Sequence, residues 1–367
     1  MTATHHTVAP PYSPDPILVD TLGRLLAKTC THGEVQGAEE RGWSAGTWDA
    51  LASVGAPWIG VPESSGGSGG TPVDVAAVLR ACGAWAAPVP IAETGVLGGW
   101  LAGAAGLELP DGAVTVVPGR SSDTLVLDDD RLSGTAHGVP WAAAATLVLA
   151  LVDGRIVAFR PDIEHITRRA NLAGEPRDTL ELTDLRVTAV DAPSEVDAQV
   201  LRLRGAFARS CQMTGAMERI TEITVAYTNE RRQFGRPVST FQAVGQHLVR
   251  AASETQLAAM AMHTAIAAIE DRGFGGAEVE IACFKAIAGE AADVVSSRCH
   301  QAHGAIGMTQ EYVLHQLTRR LWSWRDEHGS TTWWRQRLGQ LTREHCAIDP
   351  AHPDRLWQLV TRGGGAS

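Results

Sequence analysis

Two long helical patterns meet at one short, chemically unusual joint, and this restricts the fold more than any other feature of the chain. One pattern runs into the joint from Leu201, and the other runs out from Ala243 to Ile269. In the second, Val244, Leu248, Ala251, Thr255, Ala258, Met262, Ile266 and Ile269 recur at helical spacing and form one stripe. The same period continues to about residue 345, with Ile281, Lys285, Ala288 and Ala292 lying beyond a break at Gly273, Gly275 and Gly276. Several long helices in succession predict an up-and-down bundle. Its alanine-rich stripes suit an internal core and close packing against another subunit about equally.

The joint reads Asn229-Glu230-Arg231-Arg232-Gln233-Phe234-Gly235-Arg236-Pro237 and ends in Ser239-Thr240-Phe241-Gln242. Adjacent arginines, an aromatic ring and a glycine are more than a plain connector needs. The arginine fork suits phosphate oxygens and Phe234 offers a flat apolar face to a ring, two features that a dinucleotide combines. On this stretch alone, an exposed helix end with solvated arginines explains the pattern equally well. A second stretch shifts the balance. Gln301-Ala302-His303-Gly304-Ala305-Ile306-Gly307-Met308 follows another long helix, and its glycines permit close approach of backbone to a ligand.

Ahead of the bundle, Ile17 to Lys28 and Ser44 to Ala52 are helical in period, and Thr71-Pro72-Val73-Asp74 is a helix start with Thr71 as N-cap. Gly66 to Gly70 lacks the lysine of a phosphate loop and is read as a turn. From Leu109 the period changes to short extended runs: Val114 to Val117, Thr124 to Leu127, Thr146 to Val152, Arg155 to Phe159, Thr179 to Thr183 and Leu185 to Val190. Asp153-Gly154 marks a hairpin, and Asp128-Asp129-Asp130 another turn. The expected fold is α+β, mostly α. An N-terminal helical domain spans 1–108, with 1–15 a loose tail, and a small, shortened middle β domain spans 109–197. A C-terminal four-helix-bundle domain follows at 198–347, and then a tail at 348–367.

The chain of 367 residues is 44% hydrophobic and 20% charged, as expected of a soluble globular protein. Its formal charge of −10 excludes a nucleic-acid surface, and no apolar run reaches the length of a membrane span. Cys30, Cys82, Cys211, Cys283, Cys299 and Cys346 are scattered without CxxC spacing, so reduced thiols in a cytoplasmic protein and no metal site are expected.

Together the joint and the 301–308 turn resemble the C-terminal domain of the acyl-CoA dehydrogenases. In that flavoprotein family an Arg-x-x-Phe-Gly turn and a Gln-x-x-Gly-Gly-x-Gly turn of one subunit hold the adenine and pyrophosphate half of a FAD whose flavin sits in a neighbouring subunit. Here they read Arg231-x-x-Phe234-Gly235 and Gln301-x-x-Gly304-Ala305-x-Gly307, with one glycine changed to alanine. Val61-Pro62-Glu63-Ser64-Ser65-Gly66-Gly67 is similar to the family's Pro-Glu-x-x-Gly-Gly turn. The resemblance implies FAD as cofactor, held by Arg231, Gln233, Phe234, Gln242, Gln301, Gly304 and Ser330. It also implies α,β-dehydrogenation of an acyl-CoA, and an electron-accepting flavoprotein as partner.

The family's base is a glutamate in a Glu-Gly-Thr step, against which ungapped alignment from Gln301 sets His328-Gly329-Ser330. A minority of members carry the base on the first helix of the C-terminal domain, and that position is Gly205. Neither place holds a carboxylate. Glu327, one residue away, and His328 itself are the candidate bases, beside the plainer reading in which both line a turn. The flavin-contacting elements of the middle domain are also eroded, leaving Val114 to Asp123 and Gly138-Val139-Pro140-Trp141. Losing one half of a shared site while keeping the other fits a subunit that works with an unlike partner, as in some bacterial acyl-CoA dehydrogenases of bulky sterol-type side chains. A self-sufficient homotetramer using Glu327, and a non-catalytic scaffold of the same fold, are the alternatives. Trp322, Trp324, Trp333 and Trp334 crowd the expected active-site face, where they pack a core or meet substrate.

Overall fold

The computed structural model describes residues 13–345. Most of the expected N-terminal tail, the tail at 348–367 and Cys346 lie outside them. The helical N-terminal part comprises α1 (Pro16–Thr29), α2 (His32–Arg41), α3 (Ala45–Ala52) and α4 (Pro72–Ala84), then a π-helix at Ala92–Gly99 running into α5 (Trp100–Ala104). α4 starts where the sequence places it. Thr71 and Asp74 form a capping box in which each side chain meets the other's backbone N–H. The run after Pro62 is a turn closed by hydrogen bonds from Gly60 N to Gly69 O (2.7 Å) and from Gly69 N to Val61 O (2.9 Å).

The strands are β1 (Val114–Val116), β2 (Val126–Asp128), β3 (Arg131–Pro140), β4 (Leu147–Val152), β5 (Arg155–Phe159), β6 (Ile166–Thr167), β7 (Arg177–Arg186) and β8 (Thr188–Asp191). They form two sheets, ordered β1-β4-β5-β8 and β2-β3-β7-β6, with only the β1–β4 ladder parallel. Asp153 and Gly154 both take positive φ and turn β4 into β5, as the sequence predicts. β3 is absent from the sequence-based expectation. Its Arg-Leu-Ser-Gly-Thr-Ala-His-Gly run carries two glycines and breaks register twice against β7, so it lacks a clean alternation.

After α6 (Ala198–Glu230) a two-stranded hairpin of β9 (Arg232–Gln233) and β10 (Arg236–Pro237) leads into α7 (Gln242–Gly276). α8 (Glu278–His303), α9 (Leu314–Asp326) and α10 (Thr331–His345) complete the bundle. α7 loses helical geometry at Gly273, where φ is 70° and ψ 176°.

Two apolar cores hold these elements. One, between the sheets, takes Val148, Ala150 and Val152 of β4, Leu132 and Ala136 of β3, and Leu180 of β7. The other is continuous from α1 through α4 and the π-helix into α6, α7 and α8, and Leu149 of β4 belongs to it. β4 is therefore buried on both faces, which is why it reads as an unbroken apolar run. α4 meets α6 backbone to backbone. A Cβ on Gly83 would collide with the Gln212 carbonyl, and one on Gly215 with the Arg80 carbonyl. Beside that crossing, Arg80 donates twice to Glu218, at 3.0 and 2.8 Å. The five described cysteines are free, and no helix among the described residues is long and apolar enough to cross a membrane.

Candidate active site

The joint between α6 and α7 is a projecting hairpin. Phe234 and Gly235 take φ of 52° and 80°, the left-handed pair of a tight two-residue turn, and this thrusts the Phe234 ring out until it is 91% exposed. Arg231, Arg232, Gln233 and Gln242 are exposed around it, and Arg231 has no ion-pair partner among the described residues. The Arg236 guanidinium lies 4.2 Å from the centre of the Phe241 ring. The 301–308 turn reaches the same end of the bundle because His303, at the end of α8, stacks on Tyr227 of α6 with ring centres 4.6 Å apart. Gln301 and Gly304 are exposed there, and Gly304 is open enough that nothing lies within 4 Å of where a Cβ would be. An unpaired arginine, a bare aromatic face and open glycines form a donor set for a ligand with phosphates and a ring.

A different group of residues gathers near the other end of α6. The 26 residues from Gly205 to Arg231 span about 39 Å of helix. Gly205 faces the turn between α9 and α10 so closely that a Cβ on it would overlap the His328 ring. His328 and Gly329 both take positive φ there, and the His328 carbonyl accepts a hydrogen bond from Trp334 Nε1 at 3.1 Å. Lys285 of α8, fully buried, donates to the carbonyls of Trp324 (3.1 Å) and Arg325 (2.5 Å) and so fixes the last turn of α9. The turn borders a cleft of about 930 Å³ between the sheet region and the bundle, lined by Arg120, Gly138, Arg177, Arg202, His328 and Trp333 among others.

Beneath the cleft lies a buried ionic network that spans all three regions of the chain. Glu327 accepts from Arg177 Nε at 2.8 Å and Nη2 at 3.1 Å, from Arg209 Nε at 2.7 Å, and from Asn171 Nδ2 at 3.3 Å. Arg209, on α6, also binds Glu93 of the π-helix, and both side chains are 1% exposed. Arg177 continues to Glu175 at 3.1 Å, which in turn accepts from Trp324 Nε1 at 2.9 Å and faces Arg320 at 3.3 Å.

Residues 203–338 match the family described as acyl-CoA dehydrogenase, C-terminal domain. The chain carries an acyl-CoA dehydrogenase C-terminal domain. Acyl-CoA dehydrogenase IpdE2 of Mycolicibacterium smegmatis is 27% identical to it over 311 residues, covering 83% of this chain and 91% of that protein. The solved ChsE4-ChsE5 complex from Mycobacterium tuberculosis is similar at a TM-score of 0.79 and 22% identity, covering 90% of this chain and 98% of that one. The Tcur3481-Tcur3483 steroid ACAD reaches 0.81 at 24% identity over the same shares. The fold is thus the acyl-CoA dehydrogenase fold across the whole described chain.

Of the residues assigned to FAD from the acyl-CoA dehydrogenase motifs, Arg231, Gln233, Phe234, Gln242, Gln301 and Gly304 come together at the hairpin end. Ser330 does not. It sits beside His328 at the cleft, where its hydroxyl accepts from Trp333 N at 3.3 Å. Gly205 and His328, the two positions aligned above with the base of the acyl-CoA dehydrogenases, meet in space, and the His328 ring fills the room that Gly205 leaves.

The candidate base Glu327 stands in surroundings that do not suit the role. Burial pushes its pKa up, but Arg177 and Arg209 outweigh burial and hold it at about 2, a poor proton acceptor at neutral pH. His328 is pushed down to about 3, by burial first and then by the Arg209 charge, so it is neutral and grips a proton weakly. Of the four tryptophans, Trp324 and Trp334 are core residues, Trp333 lines the cleft under Arg202, and Trp322 stacks on His300. Arg177, Arg209, Asn171 and Glu93 were beyond sequence reasoning, because each acts through partners more than a hundred residues away.

The two depressed pKa values set an acid limb for stability. The unfolded chain takes up protons at His328 near the ordinary 6.5 and at Glu327 near 4.5, whereas the folded chain resists until about 3 and about 2. The stability these two groups contribute is therefore full above pH 6.5, falls as pH drops below it, and falls more steeply below about 4.5. Urea midpoints measured from pH 7.5 to 4 are expected to show this slope. His328→Asn, which tolerates the left-handed backbone, should make the part between 6.5 and 5 shallower, leaving the share of the other histidines that burial pushes down, such as His300 and His303.

Proposed function

We propose that this chain is a subunit of an acyl-CoA dehydrogenase that introduces an α,β double bond into an acyl-CoA, with its FAD sites completed by an unlike partner subunit. The observation that carries this reading is the separation along α6. The FAD-type donor set at the hairpin and the cleft beside His328 lie about 39 Å apart, so one bound dinucleotide does not serve both within a single chain. Each therefore faces a complementary element on another chain.

At the hairpin, Arg231 neutralises the pyrophosphate, Phe234 covers the adenine ring, and Gln301 and Gly304 close from the side. FAD, when bound, supplies the hydride acceptor. At the cleft, Glu327 and Arg177 shape the floor and His328 occupies the base position without serving as one, so the carboxylate that removes the α proton comes from the partner. Electrons leave to a separate electron-accepting flavoprotein. The similarity to a solved two-component complex, ChsE4-ChsE5, supports an unlike partner.

The visible spectrum of the purified chain tests this. Alone it is expected to be nearly colourless, and co-expression with a second dehydrogenase-like chain from the same host should restore about one FAD for each unlike pair. Full flavin occupancy in a homotetramer purified alone would overturn the unlike partner and favour a self-sufficient enzyme. In the assembled complex Arg231→Ala should weaken FAD binding by about 1.5–3 kcal/mol, one to two decades in affinity. Arg232→Ala, already in the hairpin strand, should weaken it less.

A further inference from the structure

The described arginines that are almost wholly buried, Arg177, Arg209 and Arg320, each meet a carboxylate. Arg204 does not. It lies on α6, one residue before Gly205, and points into a crevice between the N-terminal helices and the bundle rather than into the cleft. Its Nη1 donates to the Val96 carbonyl of the π-helix at 3.2 Å, and its Nε is buried with no acceptor. The guanidinium is clamped between two aromatic faces, 4.4 Å from the Trp100 ring centre and 4.2 Å from that of Phe274. Asp74, the acid at the rim, turns back on the α4 cap, where it accepts from Thr71 N at 2.9 Å and from the Thr71 hydroxyl at 2.8 Å.

Burying a cation without an anion is costly, and a donor left unmade adds to that cost. Burial alone lowers the Arg204 pKa to about 9, with no charged neighbour contributing, so the group is still a cation at neutral pH. Two irregular backbone segments build the crevice. The break at Gly273 delivers Phe274 onto Arg204, and the π-helix presents Val96, in a geometry that recurs at functional sites. The remaining space is about 90 Å³, room for some three water molecules and hence for a carboxylate but not for a thioester headgroup.

We propose that Arg204, Trp100 and Phe274 form a binding site for a carboxylate-sized anion, distinct from both the hairpin and the cleft. The carboxylate comes either from a free small acid or from the far end of an acyl group that carries one, and only the second source rests on the acyl-CoA reading above.

The experiment uses the full chain. Acetate is titrated at constant ionic strength, and the thermal midpoint and tryptophan fluorescence are followed in the wild type and in Arg204→Met. Expected is a saturable rise in the wild-type midpoint, with acetate binding about tenfold weaker or more in the variant. Should Arg204→Met not fold, Arg204→Lys, which keeps the charge but loses the planar fork, provides the same comparison. An acetate response that is absent from the wild type, or equal in both proteins, overturns the site. A second arm compares glutaryl-CoA with valeryl-CoA. Tighter binding of glutaryl-CoA that disappears in the variant assigns the carboxylate to an acyl tail, and equal binding beside a clear acetate response assigns it to a free ion. Neither readout requires bound flavin, so failure of the dehydrogenase reading leaves the acetate arm intact.

Discussion

Arg209→Met is expected to cost about 3–5 kcal/mol of folding stability, the range for removing one partner from a buried ion pair. Arg209 is 1% exposed and pairs with two carboxylates at once, Glu93 on the π-helix and Glu327 on the turn after α9. Its removal leaves Glu93, also 1% exposed, with no other cation within ion-pair distance among the described residues, and takes one of two arginines from Glu327. The urea midpoint should fall while the slope of the transition stays unchanged. Adding Glu93→Gln to the variant should recover part of the loss, because the stranded charge goes with it, and this non-additivity separates an ionic cause from lost packing. Two independent, additive losses would refute the coupling.

Gly83→Ala and Gly215→Ala should each destabilise by up to about 3 kcal/mol, the upper part of the range for overpacking a filled core. The sign is the informative part, since alanine in an open helix interior usually gains up to about 1 kcal/mol over glycine. Here the added methyl meets a main-chain carbonyl of the opposite helix, and no rotamer change relieves that. α4 would be forced away from α6, stretching the Arg80–Glu218 pair beside the crossing. A stabilised variant in the same urea titration would show that the helices have room to part.

Local chemistry was legible in the sequence and long-range charge was not. Thr71-Pro72 and Asp153-Gly154 announce themselves because a cap and a tight turn depend on residues within four positions of each other. The hairpin at Phe234-Gly235 was found as an unusual joint for the same reason, although its strands were not foreseen. β3 escaped because an alternation interrupted by glycines and register shifts carries little periodic signal. At the site, Glu327 was singled out by its place beside an aligned motif, whereas the arginines that decide its protonation arrive from β7 and α6, 150 and 118 residues away. The glycines of the α4–α6 crossing look like ordinary helix residues until the partner backbone is known.

The shared core of the N-terminal helices and the bundle also bears on how the chain reaches its folded state. Residues 105–197, 93 in all, separate α5 from α6 along the chain, yet α4 and α6 are direct neighbours in one apolar core. If that stretch were still flexible, bringing the two helical parts together would cost about 4 kcal/mol in loop closure. Once the sheets have formed around their own core, the connection is short and stiff and most of that cost is gone. The expected order of assembly is therefore sheets first and the helical body second, with the first and last parts of the chain waiting on the middle.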